Sequence, residues 1–179
     1  MNHPGDPLLP DLAAGQSQAF GLLYDRFAGR LFGAAMRMLG RREDAEDVVQ
    51  EVFMAMVRSR GQLSKVDDLT AYLFTALRHA AGRYASRRAR QPVVAEAAEE
   101  AVAAQPGQDH PRGEELRTAM AALPPEQREV IAMKIDGELT FVQIGRVLGV
   151  SPNTAASRYR YALKKLRSAL QEAPETAAE

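Results

Sequence analysis

The sequence predicts an all-α protein with two small helical domains joined by a linker. Helix-forming residues such as alanine, leucine, arginine and glutamate dominate the 179 residues, and β-branched residues are few. Apolar residues recur at helical spacing over several long segments, whereas strand-like alternation is nearly absent. Residues 92–113 contain three prolines and two glycines but no leucine, isoleucine, methionine or aromatic residue. Because this stretch cannot bury much apolar area, we assign it as the linker.

The N-terminal domain, residues 1–91, is predicted to contain three main helices. Residues 16–39 form one or two helices, interrupted near Gly29 or Gly33. The second helix carries apolar residues at the spacing of a single buried face. These residues are Ala45, Val48, Val49, Val52, Phe53, Met56 and Val57.

The third helix of this domain follows a predicted loop at residues 61–67. Asp67 or Asp68 can cap its N-terminus. Its apolar residues also recur at helical spacing, and they are Leu69, Tyr72, Leu73, Ala76, Leu77, Ala80, Ala81 and Tyr84. This stripe stops before the arginine-rich end of the helix, so we expect that end to project beyond the core.

The C-terminal domain, residues 114–170, is predicted to contain four helices and to precede a polar tail at 171–179. After a short helix at 114–122, Pro124 and Pro125 start a second helix that Gly137 ends. Thr140 and Ser151 are the predicted N-caps of the third and fourth helices. The predicted buried residues of the second and fourth helices are Val130, Ile131, Ile135, Ala155, Tyr159, Ala162, Leu163, Leu166, Ala169 and Leu170.

Composition excludes several functional classes. The chain has no cysteine, which excludes disulfide scaffolds, cysteine-ligated zinc, iron–sulfur clusters and thiol catalysis. There is no run of 18 apolar residues and no signal sequence at the N-terminus, so we expect a cytoplasmic protein without a membrane span.

The 23 basic and 23 acidic residues balance, but residues 139–171 hold six basic residues and no acidic one. A local cationic stripe of this kind is suited to nucleic acid.

The segment TFVQIGRVLGVSPNTAASRYR at 140–160 predicts a helix-turn-helix. Two short helices flank a tight turn that begins at Gly149, and the small residue Gly145 lies where they must approach closely. In this motif the second helix enters the DNA major groove, where polar residues read base edges and flanking cations hold phosphates. The candidate DNA-binding residues are Asn153, Thr154, Ser157, Arg158, Arg160, Tyr161, Lys164 and Lys165. The alternative is an ordinary helical hairpin with a solvated cationic face.

An acidic ridge on the second helix of the N-terminal domain consists of Asp44, Asp47 and Glu51. Three interpretations compete, namely a solvated face, a protein-docking surface and a divalent-metal site. Met54 lies on the same face and would be an exposed apolar anchor for a partner. A catalytic metal needs converging carboxylates from another helix, and the other acidic clusters lie in a loop and in the linker. We therefore disfavour a metal site and expect no cofactor.

An arginine run ends the third helix and follows three aromatic residues. Arginines near aromatic rings suit single-stranded or melted nucleic acid, through phosphate pairing and base stacking. Tyr72 and Tyr84 fit the buried stripe, whereas Phe74 falls off it. The alternative is a solvated helix end with both tyrosines in the core.

The sequence contains no recognisable catalytic arrangement of side chains and no glycine-rich phosphate loop, so we expect no enzymatic activity.

Three segments together resemble the extracytoplasmic-function (ECF) group of bacterial RNA polymerase sigma factors. They are DAEDVVQEVF at 44–53, AYLFTALRHAAGRYASRRAR at 71–90 and LPPEQREVIAMKIDGELTFVQIGRVLGVSPNTAASRYRYALKKLR at 123–167. The resemblance covers roughly residues 8–91 and 114–170. It implies two helical domains, called sigma-two and sigma-four, joined by a flexible linker. Tyr72 stands where the family often has tryptophan, His79 where asparagine is common, and Ala155 where a larger aliphatic residue is usual.

The resemblance also implies roles for particular residues. Docking on the clamp helices of the largest polymerase subunit is implied for Asp44, Asp47, Gln50, Glu51 and Met54. Capture and melting of the −10 promoter element is implied for Lys65, Phe74, Arg78, His79, Arg83, Arg87 and Arg88, with a flipped base held near the loop at 61–67. The helix from Ser151 would read the −35 element as duplex. The implied partners are core RNA polymerase, including the flap of its second-largest subunit, promoter DNA and an anti-sigma factor.

The length of the linker agrees with this resemblance. Two promoter elements two helical turns apart are separated by about 70 Å. Residues 91–113 reach at most about 80 Å when extended, so they can join domains bound to both elements. The zero net charge also fits a protein that polymerase, rather than DNA alone, holds at the promoter.

Two other functions stay open on the sequence alone. A free-standing helix-turn-helix regulator, whose N-terminal domain senses a ligand or dimerises, would bind its operator tightly without polymerase. A helical nucleotide-processing enzyme would use the acidic ridge with magnesium and show metal-dependent turnover. That second function leaves the helix-turn-helix unexplained.

Overall fold

The computed structural model describes residues 6–90 and 111–172, and these ranges contain helices and turns but no strand. The first range forms α1 (Leu9–Ala13), α2 (Ser17–Leu39), α3 (Arg42–Arg58), a short 3₁₀ helix (Arg60–Lys65) and α4 (Leu69–Arg90). The second range forms α5 (Pro111–Ala121), α6 (Pro125–Ile135), α7 (Phe141–Leu148) and α8 (Pro152–Glu172). The all-α prediction is confirmed. Most of the predicted linker lies outside the described residues, and its last three residues begin α5.

The first long helix, α2, is continuous, so the predicted interruption near Gly29 or Gly33 is wrong. Each glycine inside a helix costs up to about 1 kcal/mol relative to alanine. One face of α2 carries Leu23, Phe27 and Leu31, each of them fully buried. Burial of a large apolar side chain contributes about 1.5–3 kcal/mol, so this face outweighs the glycines and keeps the helix intact.

The segment between α3 and α4 is more ordered than the predicted loop. Residues 60–65 form the 3₁₀ helix, and Leu63 at its centre is fully buried. Asp68, rather than Asp67, caps α4, because its Oδ1 accepts the backbone N–H of Ala71 at 2.9 Å. This hydrogen bond satisfies one of the free amides at the start of the helix.

The helix-turn-helix forms as the sequence predicts. The Thr140 hydroxyl accepts the Gln143 amide while the Gln143 side chain accepts the Thr140 amide, which makes a capping box at the start of α7. Gly149 ends α7 in the left-handed region with φ 67°. Ser151 caps α8 by accepting the Thr154 amide at 3.0 Å.

Several predicted core positions lie at the surface instead. Val57 and Ile135 are more than two-fifths exposed, and Ala169 and Leu170 near the end of α8 are exposed as well. For these residues the periodicity identified the buried face of each helix but not its limits. An apolar residue near a helix terminus, or at the edge of the stripe, is buried only where another element reaches it.

The two domains pack against each other and share one hydrophobic core. This core includes buried residues of α2, α3 and α4 together with Val130, Ala132, Met133, Leu139 and Ile144 of the C-terminal domain. The turn between α6 and α7 reaches the N-terminal domain so closely that a Cβ atom on Gly137 would lie 2.7 Å from the Phe74 ring. A second, smaller core holds α5, α6 and α8 together through Ala119, Met120, Leu123, Ile131, Ala162 and Leu166.

Gly145 is the position where the helix-turn-helix tolerates no side chain. A Cβ atom there would lie 2.7 Å from the Val150 carbonyl oxygen. We expect Gly145→Ala to lower the free energy of unfolding by about 1–3 kcal/mol, as overpacking does, in urea denaturation followed by circular dichroism. Gly21→Ala is the matched control, because a Cβ atom on Gly21 meets nothing within 4 Å and the added helix propensity of about 0.5–1 kcal/mol favours folding. A Gly145→Ala protein as stable as the wild type would contradict the close approach of α7 to the turn.

Candidate functional site

The acidic ridge of α3 is bridged by side chains of α4. Arg88 donates to Asp44 at 2.8 Å, the Tyr84 hydroxyl donates to Asp47 at 2.8 Å, and Arg83 donates to Glu51 at 2.6 Å. Three carboxylates along α3 thus each accept a hydrogen bond from a side chain of α4. Asp44 is only 7 % exposed, so the interpretation of the ridge as a solvated face does not hold for this residue.

The outer side of α3 remains open to a partner. Asp47 and Gln50 are exposed, Glu51 is partly exposed, and Met54 is 50 % exposed. Beside them Phe53 packs against Tyr24 of α2 with ring centroids 5.0 Å apart. Exposed large apolar side chains beside carboxylates favour a protein-binding surface over a plain solvated face. We call Asp47, Gln50, Glu51, Met54 and Val57 the α3 face.

The bond to Asp47 changes the acidity of Tyr84. The hydrogen bond to the Asp47 carboxylate raises the pKa of the Tyr84 phenol, and partial burial and the negative charge of Asp47 act in the same direction. The neutral phenol is favoured because it can donate this hydrogen bond, whereas the phenolate would face another anion.

The residues expected at the −10 element divide into two groups. His79, Arg83, Arg87 and Arg88 are exposed along the outer part of α4, as is Lys65 in the 3₁₀ helix. Phe74 is fully buried, and Arg78 donates through Nε to Glu129 of α6 at 3.1 Å. The expectation that Phe74 lies on the surface is wrong when the two domains are packed as in this structure, because the C-terminal domain then covers Phe74.

Two grooves lie beside α4. The first, which we call the cap groove, has a volume of about 450 Å³ and is lined by Gln62, Lys65, Val66, Asp67, Asp68, Ala71, Tyr72, Thr75 and Arg146. It lies next to the loop where the sequence predicted a base pocket, and Arg146 reaches it from α7. The second, the arginine groove, has a volume of about 780 Å³ and includes Arg58, Arg83, Arg87 and Arg90. Sequence reasoning missed Arg58 and Arg146 because only the tertiary packing brings them to α4.

The cationic face of α8 is open. Asn153, Thr154, Arg160, Lys164 and Lys165 are exposed, and Tyr161 is 64 % exposed. Ser157 and Arg158 are half-buried, and Ser157 accepts a hydrogen bond from Arg160 at 3.1 Å. Within residues 6–90 and 111–172, no carboxylate forms an ion pair with a cation of α8. These side chains are therefore available to an anionic partner such as DNA.

Neither a metal-binding cluster nor a membrane-spanning helix occurs in the described residues. No group of three or more histidine and acidic side chains there is arranged to hold a metal ion. The three carboxylates of the α3 ridge are instead occupied by donors from α4. No helix in the described ranges is long and apolar enough to cross a membrane.

Comparison with known protein families identifies both halves of the chain. Residues 23–91 match the family model for sigma-70 region 2, and residues 113–166 match that for sigma-70 region 4. The sigma factor CarQ of Myxococcus xanthus is 34 % identical over 88 % of this chain and 92 % of its own length. The ECF sigma factor SigK of Mycobacterium tuberculosis is 30 % identical over 92 % of both chains. This chain is an ECF-group RNA polymerase sigma factor.

Solved structures show the same fold as this sigma factor. The structure of CnrH in complex with the cytosolic domain of CnrY has a TM-score of 0.66 and 26 % identity, and the match covers 93 % of this chain and 97 % of CnrH. The structure of RpoE from Bartonella quintana with the anti-sigma factor NepR has a TM-score of 0.60 and 23 % identity, and it covers 93 % and 94 % of the two chains. Membership in this family makes the chain a transcription initiation factor and decides against a free-standing helix-turn-helix regulator.

The raised pKa of Tyr84 provides a test of the contact between α3 and α4 in this sigma factor. We expect Asp47→Asn to lower the pKa of Tyr84 towards its ordinary value, since the amide removes the negative charge that disfavours phenolate. The measurement is a pH titration of the Tyr84 ring carbon by NMR. Tyr161 on α8, an exposed tyrosine among the five in the chain, is the internal reference. An unchanged Tyr84 titration would show that the two side chains are not bonded in solution.

Proposed function

We propose that this sigma factor uses three separate surfaces in transcription initiation. The α3 face docks on the clamp helices of the largest polymerase subunit, the α4 region captures the −10 element, and α8 reads the −35 element. The observation that carries the proposal is the separation of charge. Carboxylates beside exposed apolar side chains lie on α3, whereas the cations of α8 have no acidic partner in the described residues.

Docking uses only part of the acidic ridge. Asp47, Gln50, Glu51 and Met54 are accessible to polymerase. Asp44 is a positioning residue, because its buried carboxylate holds Arg88 and thereby fixes α4 against α3. Removal of Asp44 would leave Arg88 without its partner and alter the α4 surface rather than the docking face.

Recognition of the −10 element combines the cap groove and the exposed cations of α4. The cap groove is large enough for an unstacked base and has polar groups from Lys65, Asp68 and Tyr72 on its walls. The arginine groove, together with Arg88, supplies charge for the phosphates of a melted strand. Promoter melting is a binding process, so we assign no catalytic residue to this chain and leave nucleotide addition to core polymerase.

The proposed domain boundaries follow this division of work. Residues 1–91 form the sigma-two domain, 92–113 the linker, 114–170 the sigma-four domain and 171–179 a polar tail.

The sigma-four domain would also contact the flap of the second-largest subunit. The protein acts where polymerase acts, in the bacterial cytoplasm. Because the similar sigma factor RpoE has been solved in complex with the anti-sigma factor NepR, we propose that an anti-sigma factor binds this chain as well.

Charge reversal tests the docking assignment. We expect Asp47→Lys with Glu51→Lys to weaken binding to core polymerase at least tenfold, because two favourable charges become repulsive. Affinity is measured with fluorescently labelled protein, and circular dichroism verifies the fold. Glu46→Lys is the control, since Glu46 pairs with Arg42 and lies about 100° around α3 from Asp47. Wild-type affinity of the double variant would remove the docking assignment.

A single truncation on α8 tests −35 recognition. We expect Arg160→Ala to weaken holoenzyme binding about 5- to 150-fold on promoters selected from a library by run-off transcription, the equivalent of a base contact worth about 1–3 kcal/mol. Arg26→Ala removes a cation from the sigma-two domain that pairs with Asp6 and serves as the control. If Arg160→Ala keeps both the affinity and the discrimination against scrambled −35 sequences, α8 is not the reader.

A further inference from the structure

The cap groove has two walls within the sigma-two domain, and they are built differently. The inner wall is the start of α4, where Ala71, Tyr72 and Thr75 line the groove. The other wall is the segment 62–68, which contains the second half of the 3₁₀ helix and the residues that lead into α4. We call residues 62–68 the outer wall. A base held between the two walls is selected by the gap between them, so the position of the outer wall matters for recognition.

The outer wall has little support of its own. Runs of 3₁₀ helix longer than three or four residues are uncommon because their hydrogen bonds are poorly aligned, and this one is six residues long. Of residues 62–68, only Leu63 and Leu69's neighbour Asp68 are tied to the domain, Leu63 by full burial and Asp68 by its cap on α4. At the other end, Ser59 Oγ lies 3.4 Å from the Tyr72 hydroxyl. The middle of the outer wall therefore depends on whatever packs behind it.

The element that packs behind it is the N-terminal helix α1. This helix contacts the 3₁₀ helix more extensively than it contacts α2, although the chain continues directly into α2. Leu12 is fully buried and Leu9 is 5 % exposed, and both belong to the same core as Leu63. A five-residue helix is not stable alone in water. Burial of the two leucines against the neighbouring elements therefore holds α1 in place.

The turn after α1 provides a second contact with the 3₁₀ helix. Gly15 has φ 78°, and a Cβ atom there would lie 2.9 Å from Arg60 Nη1 and 3.4 Å from Arg60 Cδ. The side chain of Arg60, the first residue of the 3₁₀ helix, thus lies across a glycine that adopts the left-handed conformation without strain. Before α1, Asp6 accepts the Leu8 amide at 3.1 Å. Its ion pair with Arg26 is half exposed and contributes little, so apolar burial and the approach at Gly15 are the main attachments.

Residues of α1 do not line the cap groove. An effect of α1 on a base in that groove must therefore pass through the outer wall. Selective sites require their walls to be held within about 0.5 Å of the productive position. A short 3₁₀ segment with a single buried side chain meets this requirement only if a second element supports it.

We propose that α1 is the positioning element for base selection at the −10 element, with Leu12 as its main positioning residue. It packs behind the outer wall, fixes the width of the cap groove and so determines which unstacked base is accepted. The inference deepens the proposed function and rests on it, because the assignment of the cap groove to a −10 base gives the position of the outer wall its significance.

Hydrogen exchange in the free chain tests whether α1 supports the outer wall. The amides of Gln62 and Val66 each bond to the carbonyl three residues earlier, at 2.9 and 3.1 Å, and amides in such short elements exchange through local opening. We expect Leu12→Ala to speed their exchange about tenfold. Leu31→Ala is the matched control, because it removes the same three carbon atoms from a fully buried position on α2. It should leave the exchange of these two amides within about twofold of the wild type.

Base selection by the holoenzyme tests the functional part. Single-stranded −10 oligonucleotides from promoters selected by run-off transcription are varied to all four bases at each position, and their affinities are measured by competition. We expect Leu12→Ala to lower the ratio between the best and the worst base about fivefold or more, since one base contact supplies roughly 5- to 150-fold. Core affinity and −35 affinity should stay within about twofold. A merely structural defect would lower all affinities together and leave the ratio unchanged.

Two further variants show whether the volume at position 12 is the cause. Leu12→Met should restore the ratio, because methionine nearly conserves the volume of leucine. Leu31→Ala should keep the wild-type ratio in the same assay. Recovery with methionine and retention with Leu31→Ala would assign the effect to the packing of α1 rather than to the stability of the domain.

A pair of glycines provides a milder perturbation that leaves the core intact. Gly15 and Gly40 both have φ 78°, so alanine imposes the same backbone strain at either position. Only the Cβ atom at Gly15 meets Arg60, whereas nothing lies within 4 Å of the one at Gly40. We expect Gly15→Ala to speed exchange of the Gln62 amide and to lower the base ratio. Gly40→Ala should do neither.

Two results would overturn the inference. One is unchanged exchange of the outer-wall amides in both Leu12→Ala and Gly15→Ala. The other is faster exchange with an unchanged base ratio. Failure of the proposed function has a different signature: Lys65→Ala and Tyr72→Ala, which alter the cap groove itself, would also leave the base ratio unchanged. That result removes the assignment of the groove and the inference with it, while the exchange rates still report whether α1 supports the outer wall.

Discussion

The close approach of the α6–α7 turn to α2 and α4 is the constraint on which the tertiary structure depends. It is possible because Gly33 and Gly137 have no side chains, and a Cβ atom at either position would lie within 3 Å of the opposite domain. That approach places Phe74 in the shared core and brings Arg146 to the cap groove. A chain with larger residues at these positions would keep both helical domains but lose this arrangement between them.

The distribution of charge explains how a protein with no net charge can serve a DNA-binding process. In the sigma-two domain, arginines of α4 neutralise carboxylates of α3, which leaves a mixed acidic and apolar face for polymerase. In the sigma-four domain, the cations of α8 have no acidic neighbour in the described residues. Weak intrinsic affinity for DNA is sufficient because docking on polymerase supplies a high local concentration at the promoter. The balance of charge thus disfavours binding to DNA away from polymerase.

Local signals in the sequence predicted the secondary structure well. The capping box that begins at Thr140, the left-handed Gly149 and the cap at Ser151 all involve residues three or four positions apart, so their geometry follows from the local chain. Of the two candidate caps of α4, the structure alone identifies Asp68, which accepts the Ala71 amide. The glycines of α2 do not interrupt the helix. The burial of Leu23, Phe27 and Leu31 stabilises it, and this burial comes from neighbouring helices that the local sequence of α2 does not reveal.

The sequence by itself determined the helices, the helix-turn-helix, the candidate surfaces and, through the three family segments, the membership among sigma factors. These properties rest on helical periodicity, capping and residue chemistry, which act over a few neighbouring positions. The tertiary structure alone decided that Asp44 is buried against Arg88, that Phe74 lies under Gly137 and that the two domains close on each other. These contacts join residues tens of positions apart in the chain, and periodicity cannot distinguish a face that meets solvent from one that meets a second domain.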